Sequence, residues 1–213
     1  MNRLEAMNMS FTFLRKSGIR GHYYEFGCYQ GLSLINASVV SSQMQFMPDQ
    51  FYVFDSFKGL PALKGKDQLQ DYDVFKEQQY SCSMEEVKQN LAKANAPLER
   101  YNFIEGFYDQ SLSDPALLSK MGDSRASFVH IDCDLYSSAV PVLKFIENRI
   151  VDGSIVMFDD WFCYRGRPDR GVARAFNEWK ESASYTFTEY FKYSWSGIAF
   201  ICNTLDDTSG VVP

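Results

Sequence analysis

Two apolar runs near the C-terminal end, "SYTFTEYF" (184–191) and "SGIAFIC" (196–202), are separated by only a few residues. A link that short forces the two strands antiparallel. Upstream lie five further strand-like runs: "HYYEF" (22–26), "QFYVFD" (50–55), "YNFIE" (101–105), "SFVHID" (127–132) and "SIVMFD" (154–159). Helical patterns near 31–43, 84–95, 111–121 and 137–149 fall between them, and "GVARAFNEWKES" adds another before the hairpin. Strands alternating with helices argue for parallel pairing with helices on both faces. The predicted fold is therefore an α/β, seven-stranded, mostly parallel sheet that ends in an antiparallel hairpin.

The chain has 213 residues, 46% of them hydrophobic, enough for one sizeable core, so residues 1–213 are expected to form a single domain. Residues 1–20 read as an N-terminal helical arm. The polar, aromatic-dotted segment 59–83 is longer than an ordinary connection and reads either as a lid or substrate insertion or as a surface excursion. No apolar stretch approaches the ~20 residues that span a bilayer, and the first residues lack a secretory pattern. Five scattered cysteines with no C-x-x-C pair suit reduced thiols in a cytoplasmic protein. With a net charge of -6 and no long basic tract, the chain is not expected to bind nucleic acid.

In open α/β sheets, ligands sit beyond the carboxyl ends of the strands. The first such end is "YYEFGCYQG", with Glu25, Gly27 and Gly31 at a strand-to-helix turn. The spacing is G-x-x-x-G, sparser than a pyrophosphate site requires. A carboxylate beside it suits S-adenosylmethionine better than NAD. Asp55 closes the second strand, where an acidic residue holds ribose hydroxyls in such folds; helix capping is the alternative role. Gly106 and Phe107 end the third strand and could form a slot for an adenine ring, a core phenylalanine at a turn being the alternative.

The fourth and fifth ends, "HIDCDLYSS" and "VMFDDWF", bring Asp132, Asp134, Asp159 and Asp160 to one edge of the pocket. Carboxylates so crowded raise one another's pKa unless a cation neutralises them. Oxygen-only donors suit Mg²⁺. Asp132, at the strand terminus, points most directly into the pocket; capping of the next helix by Asp132 or Asp134, with Asp159 and Asp160 as solvated acids, is the alternative. Asp134 lies one step into the loop, to cap the next helix or to stand behind the ion.

Together "EFGCYQGLSL", "VFDSFKGLP", "FIEGFYDQSL", "HIDCDLYSSAVPVLKFI" and "GSIVMFDDW" resemble the macrocin O-methyltransferase (TylF/MycF-like) family, in order, over about residues 23–180. The strand order above is likewise that of a Rossmann-like class I methyltransferase. The resemblance implies a Mg²⁺-dependent, S-adenosylmethionine-dependent enzyme acting on a hydroxyl of a sugar or sugar-containing small molecule. It implies that Glu25, Gly27, Gly31, Asp55, Ser56, Gly106, Phe107 and Asp132 line the cofactor site. It also implies Asp132, Asp159 and Asp160 as metal ligands. Two departures stand out: only about twenty residues precede the first strand, and Trp161 to Tyr164 follow the Asp159–Asp160 pair where family members often carry a histidine base. Asp134 or Asp160 is left as the proton acceptor. Arg165, Arg167, Arg170 and Arg174 read either as a clamp for an anionic acceptor or as a solvated helix start. A nucleotide-cofactor oxidoreductase and a non-catalytic adenosyl-binding protein remain alternatives. The acceptor and any homo-oligomer are not legible.

Overall fold

The central strands carry large apolar side chains in both alternating sets, so the sheet must be covered on both faces. In the computed structural model, which describes residues 1–69 and 74–205, it is. Strands β1 (His22–Phe26), β2 (Phe51–Asp55), β3 (Tyr101–Glu105), β4 (Ala126–Ile131), β5 (Ile150–Phe158), β6 (Tyr185–Tyr193) and β7 (Gly197–Thr204) form one sheet in the order β3-β2-β1-β4-β5-β7-β6. The first five are parallel, and β7 runs antiparallel to both β5 and β6. The expected hairpin is present, and its second strand is the one that docks on the sheet.

Tyr24, Phe26, Val129, Ile131, Val156 and Phe158 point to the face covered by α6 (Tyr136–Ile146) and α7 (Gly171–Lys180). Tyr23, Val53, Phe128, Ile155 and Met157 point to the face covered by α1 (Arg3–Lys16), α2 (Leu32–Gln43) and α3 (Met84–Lys93). Phe26 stacks on Phe54 at 4.6 Å between ring centroids. Each such buried side chain contributes roughly 1.5–3 kcal/mol.

The N-terminal arm is part of the helix layer. Ala6, Met7, Ser10, Phe11 and Leu14 form its buried face, and Asn2 and Glu5 close a reciprocal capping box at its start. The single helix expected over 111–121 is two, α4 (Tyr108–Ser111) and α5 (Pro115–Met121). Asp114 caps the second, its side chain accepting from Ala116 N at 2.9 Å, and Pro115 occupies the first helical position. Residues 70–73 of the 59–83 segment and the final residues 206–213 lie outside the described residues.

β1, β2 and β3 step outward in one direction, after which the chain returns to place β4 on the other side of β1. The crevice between the carboxyl ends of β1 and β4 is therefore the topological switch point, where open α/β sheets take ligands.

Candidate active site

Backbone ladders run past the strand ends and hold the site residues in place. Asp132 N donates to Phe26 O at 2.9 Å, Asp159 N to Ile131 O at 3.0 Å, Gly27 N to Phe54 O at 2.9 Å and Gly106 N to Asp55 O at 3.0 Å. Gly27, Asp55, Gly106, Asp132 and Asp159 are thus set side by side along one edge. All five line a cavity of about 1120 Å³, with Ser56, Phe107, Asp134 and Asp160 also on its wall. That volume exceeds the roughly 300–1,000 Å³ of a single small-ligand site. Room remains for two ligands side by side.

Gly27 has φ +88°, and a Cβ there would stand 1.8 Å from the Asp132 carbonyl oxygen. Glycine is what lets the end of β4 pass so close to the β1–α2 turn. α2 starts after Gly31, at φ +83°, without a side-chain cap. Its first backbone N–H groups are left for a ligand or water.

Asp55 binds the turn as well as lining the cavity. Its two carboxylate oxygens accept from Cys28 N at 2.8 Å and Phe57 N at 2.7 Å. Burial raises its pKa, and these backbone bonds oppose the rise. Ser56 Oγ donates to Gly59 O at 2.8 Å, closing the next turn.

Glu25 sits behind the wall and not among the lining residues. It is fully buried and accepts from Ser33 Oγ at 2.6 Å and from Tyr23 Oη; His130 Nδ1 lies 3.3 Å away. His130 is buried, which opposes its charge, yet the hydrogen bond and charge of Glu25 raise its pKa overall. Glu25 therefore reaches the crevice only indirectly, through Ser33 at the cavity wall.

The carboxylate cluster is dense. One oxygen from each of Asp132, Asp159 and Asp160 lies within 4.8 Å of the others. Burial pushes Asp132 up, as do the charges of Asp159 and Asp160; burial does the same to Asp160, with Asp134 and Asp159. Asp134 is raised by burial and by Asp132 and Asp159. The all-oxygen donor set suits a hard divalent cation. Asp134 does not cap the helix that follows. It adopts φ +61°, and its backbone N donates to Asp160 Oδ2 at 3.1 Å.

That cap comes from the 59–83 segment. Asp67 accepts from Tyr136 N at 2.8 Å and Ser137 N at 3.2 Å, at the start of α6. Lys66 adds a bond to Tyr136 Oη at 2.8 Å and an ion pair with Glu178 at 3.2 Å. Leu60, Pro61, Phe75 and Tyr80 from the same segment line the cavity. The described part of the segment is thus one wall of the cavity, anchored through a helix cap. Asp67→Ala is expected to lower global stability by about 1 kcal/mol, the usual cost of a lost cap. It should also speed proteolysis within 59–83. Denaturant melts and a timed trypsin digest check both, and wild-type values in each would show that the anchor is idle.

Two features of the site escaped the sequence reading. Arg3, at the start of α1, donates from Nε to Asp159 Oδ1 at 3.2 Å and from Nη2 to Asp159 Oδ2. Burial opposes its charge, but Asp132 and Asp159 together raise its pKa further. Trp195, in the β6–β7 turn, stands at the cavity rim. The arginine group of 165–174 lies outside the cavity lining: Arg167 pairs with Asp169 at 2.8 Å and Arg174 with Glu178 at 2.8 Å. Neither histidine lines the cavity either.

All five cysteines are buried, Cys163 Sγ donates to Asp160 Oδ1 at 3.5 Å, and no described helix is long and apolar enough to cross a membrane.

Comparison with known proteins follows the same lines. The O-methyltransferase NovP superposes with a TM-score of 0.73 at 20% identity, covering 95% of this chain and 80% of that one. The calicheamicin methyltransferase CalS11 gives 0.72 at 17% identity, over 93% and 77%. The fold is thus that of O-methyltransferase structures. In sequence, the chain is 21% identical over 164 residues to the 8-demethyl-8-(2,3-dimethoxy-alpha-L-rhamnosyl)-tetracenomycin-C 4'-O-methyltransferase of Streptomyces olivaceus. It is 20% identical over 166 residues to the mycinamicin III 3''-O-methyltransferase of Micromonospora griseorubida. Each alignment takes in 76% of this chain, and the chain spans 60% and 63% of the lengths of those two relatives. A family model described as macrocin-O-methyltransferase (TylF) matches residues 1–192. The chain belongs to the macrocin O-methyltransferase (TylF) family.

Proposed function

We propose that this chain is an S-adenosylmethionine-dependent O-methyltransferase whose acceptor is a hydroxyl of a sugar-containing small molecule, with Mg²⁺ held by Asp132, Asp159 and Asp160. The observation that carries the reading is the convergence of the Gly27 turn, Asp55 and the three-carboxylate cluster on one two-ligand cavity at the switch point of this family's fold. The rhamnosyl group in the substrate named for the Streptomyces olivaceus relative supplies the acceptor class, and a related fold, the O-methyltransferase TomG, is described in complex with SAM.

In this reading the donor lies in the β1–β4 crevice. Gly27 admits it close to the backbone, Asp55 and Ser56 face its ribose, and Gly106 and Phe107 face its adenine. The sulfonium is a cation that suits an acidic pocket. When bound, the ion would supply Lewis acidity toward the acceptor hydroxyl. The acceptor oxygen attacks the methyl carbon as the carbon–sulfur bond breaks, leaving a neutral thioether. Alignment and exclusion of water are what the cavity walls add. The proton goes to a carboxylate within reach of the acceptor: Asp134, which stands outside the ligand set, or Asp160 through an oxygen that the ion leaves free.

Calorimetry with S-adenosylmethionine should show binding to the purified chain, and labelled methyl transfer should follow with a panel of rhamnosides and related glycosides. Absence of donor binding would sink the proposal. Asp55→Ala should weaken donor affinity about tenfold, the worth of one charge-assisted hydrogen bond. An unchanged affinity would remove Asp55 from the ribose site.

A further inference from the structure

The first turn of α1 carries a cation to the place where the carboxylates need one. Arg3 bonds both oxygens of Asp159, and its Nη2 lies 3.6 Å from Asp132 Oδ2. Those are two of the three side chains that make the oxygen cage. A forked guanidinium and a hard divalent ion demand the same lone pairs. We infer that Arg3 and a divalent cation are alternative occupants of the cage, and that loading the ion releases the first turn of α1. The inference rests on the metal assignment proposed above.

The movement required is small. The apolar anchors of α1, Met7, Phe11 and Leu14, lie beyond the first turn and stay buried. Releasing Arg3 therefore needs fraying at a helix end, the least stable part of a helix, and not undocking of the layer. The residue before the helix cap makes a second contact: Ser194 N donates to Met1 O at 2.7 Å. Ser194 precedes Trp195, which is 71% exposed at the cavity rim. When Arg3 leaves, the clamp on this turn weakens as well. Ion loading and the acceptor side of the cavity are then mechanically linked. A site closed for part of the time shows an apparent affinity reduced by the fraction that is open.

The test uses Mn²⁺ alone as the probe, titrated by electron paramagnetic resonance into the wild type, Arg3→Ala and Asn2→Ala. Asn2→Ala keeps the arginine but removes the capping box that rigidifies its turn. Arg3→Ala should bind Mn²⁺ about tenfold or more tightly than wild type, and Asn2→Ala should shift the same way by less. Hydrogen exchange gives the second readout: saturating the wild type with Mn²⁺ should deprotect the amides of residues 5–7. Equal or weaker Mn²⁺ affinity in Arg3→Ala overturns the inference. So does unchanged exchange in that turn when the wild type is saturated. If none of the three proteins binds Mn²⁺, the inference and the metal assignment fall together. S-adenosylmethionine calorimetry on the same samples separates that result from loss of the donor site.

Discussion

Asp160→Asn is expected to cut methyl transfer by roughly a hundredfold or more, the scale seen when one preorganised electrostatic group is removed from an active site. The fold should not suffer. The substitution is isosteric, and an amide oxygen can still accept from Asp134 N, which now donates to Asp160 Oδ2 at 3.1 Å. Stability should even rise at alkaline pH. Burial, with the charges of Asp134 and Asp159, raises the Asp160 pKa in the folded protein. A raised carboxyl pKa means that its ionised form is disfavoured by folding, so the wild type loses stability as pH rises through that value. Asparagine cannot ionise and escapes the loss. Below the ordinary aspartate range both proteins are neutral at this position, and the difference disappears. Single-turnover assays with labelled donor, paired with thermal melts across pH, check both halves. Wild-type turnover in the variant would exclude Asp160 from the chemistry.

Among the described glycines, Gly27→Ala is expected to be the most damaging. The added Cβ would meet the Asp132 carbonyl oxygen at 1.8 Å, and the neighbour is strand-end backbone that cannot rotate aside. The residue would also be held at φ +88°, costly for any L side chain. Strain and overpacking of this kind each cost about 1–3 kcal/mol, so a combined loss of about 3 kcal/mol or more is expected. Because the displaced atom belongs to Asp132, donor binding should fall with stability. Denaturant melts read the first effect and calorimetry the second. A variant as stable as the wild type would mean that β1 and β4 are spaced differently at this end.

Much of this was visible in the residues alone. The carboxylates at the ends of β4 and β5 could be brought together from sequence because parallel strands with apolar cores must end at a common edge, and the pattern marks those ends. The order of the hairpin was also encoded. "SGIAFIC" is apolar throughout and becomes the doubly covered β7, whereas "SYTFTEYF" alternates and becomes the edge strand β6. The break between α4 and α5 likewise had a signal, an aspartate followed by proline at 114–115, overridden by the apolar periodicity on either side.

Arg3 and Asp67 had no such signal. Arg3 meets its partner 156 positions away, and Asp67 caps a helix 69 positions away. Nothing in a local pattern says which charged residue in a helix's first turn, or in a long polar segment, will be carried across the fold. The position of Glu25 was misleading for a related reason. A strand end reads as a cavity wall, but the side-chain alternation turned this carboxylate under α2, where Ser33 and His130 receive it.

That buried group has a bearing on how the sheet assembles. Glu25 is paired opposite His130 in the β1–β4 register, with Tyr23 on the same side of β1. A slip of one residue would turn the carboxylate toward the rings of Phe54 and Phe145 that now surround Phe26. There it would find apolar surroundings and no donor, at a cost of several kcal/mol. Mispaired central strands would thus be penalised as the helices seal over them, so a polar knot in the middle of an aromatic sheet specifies its alignment.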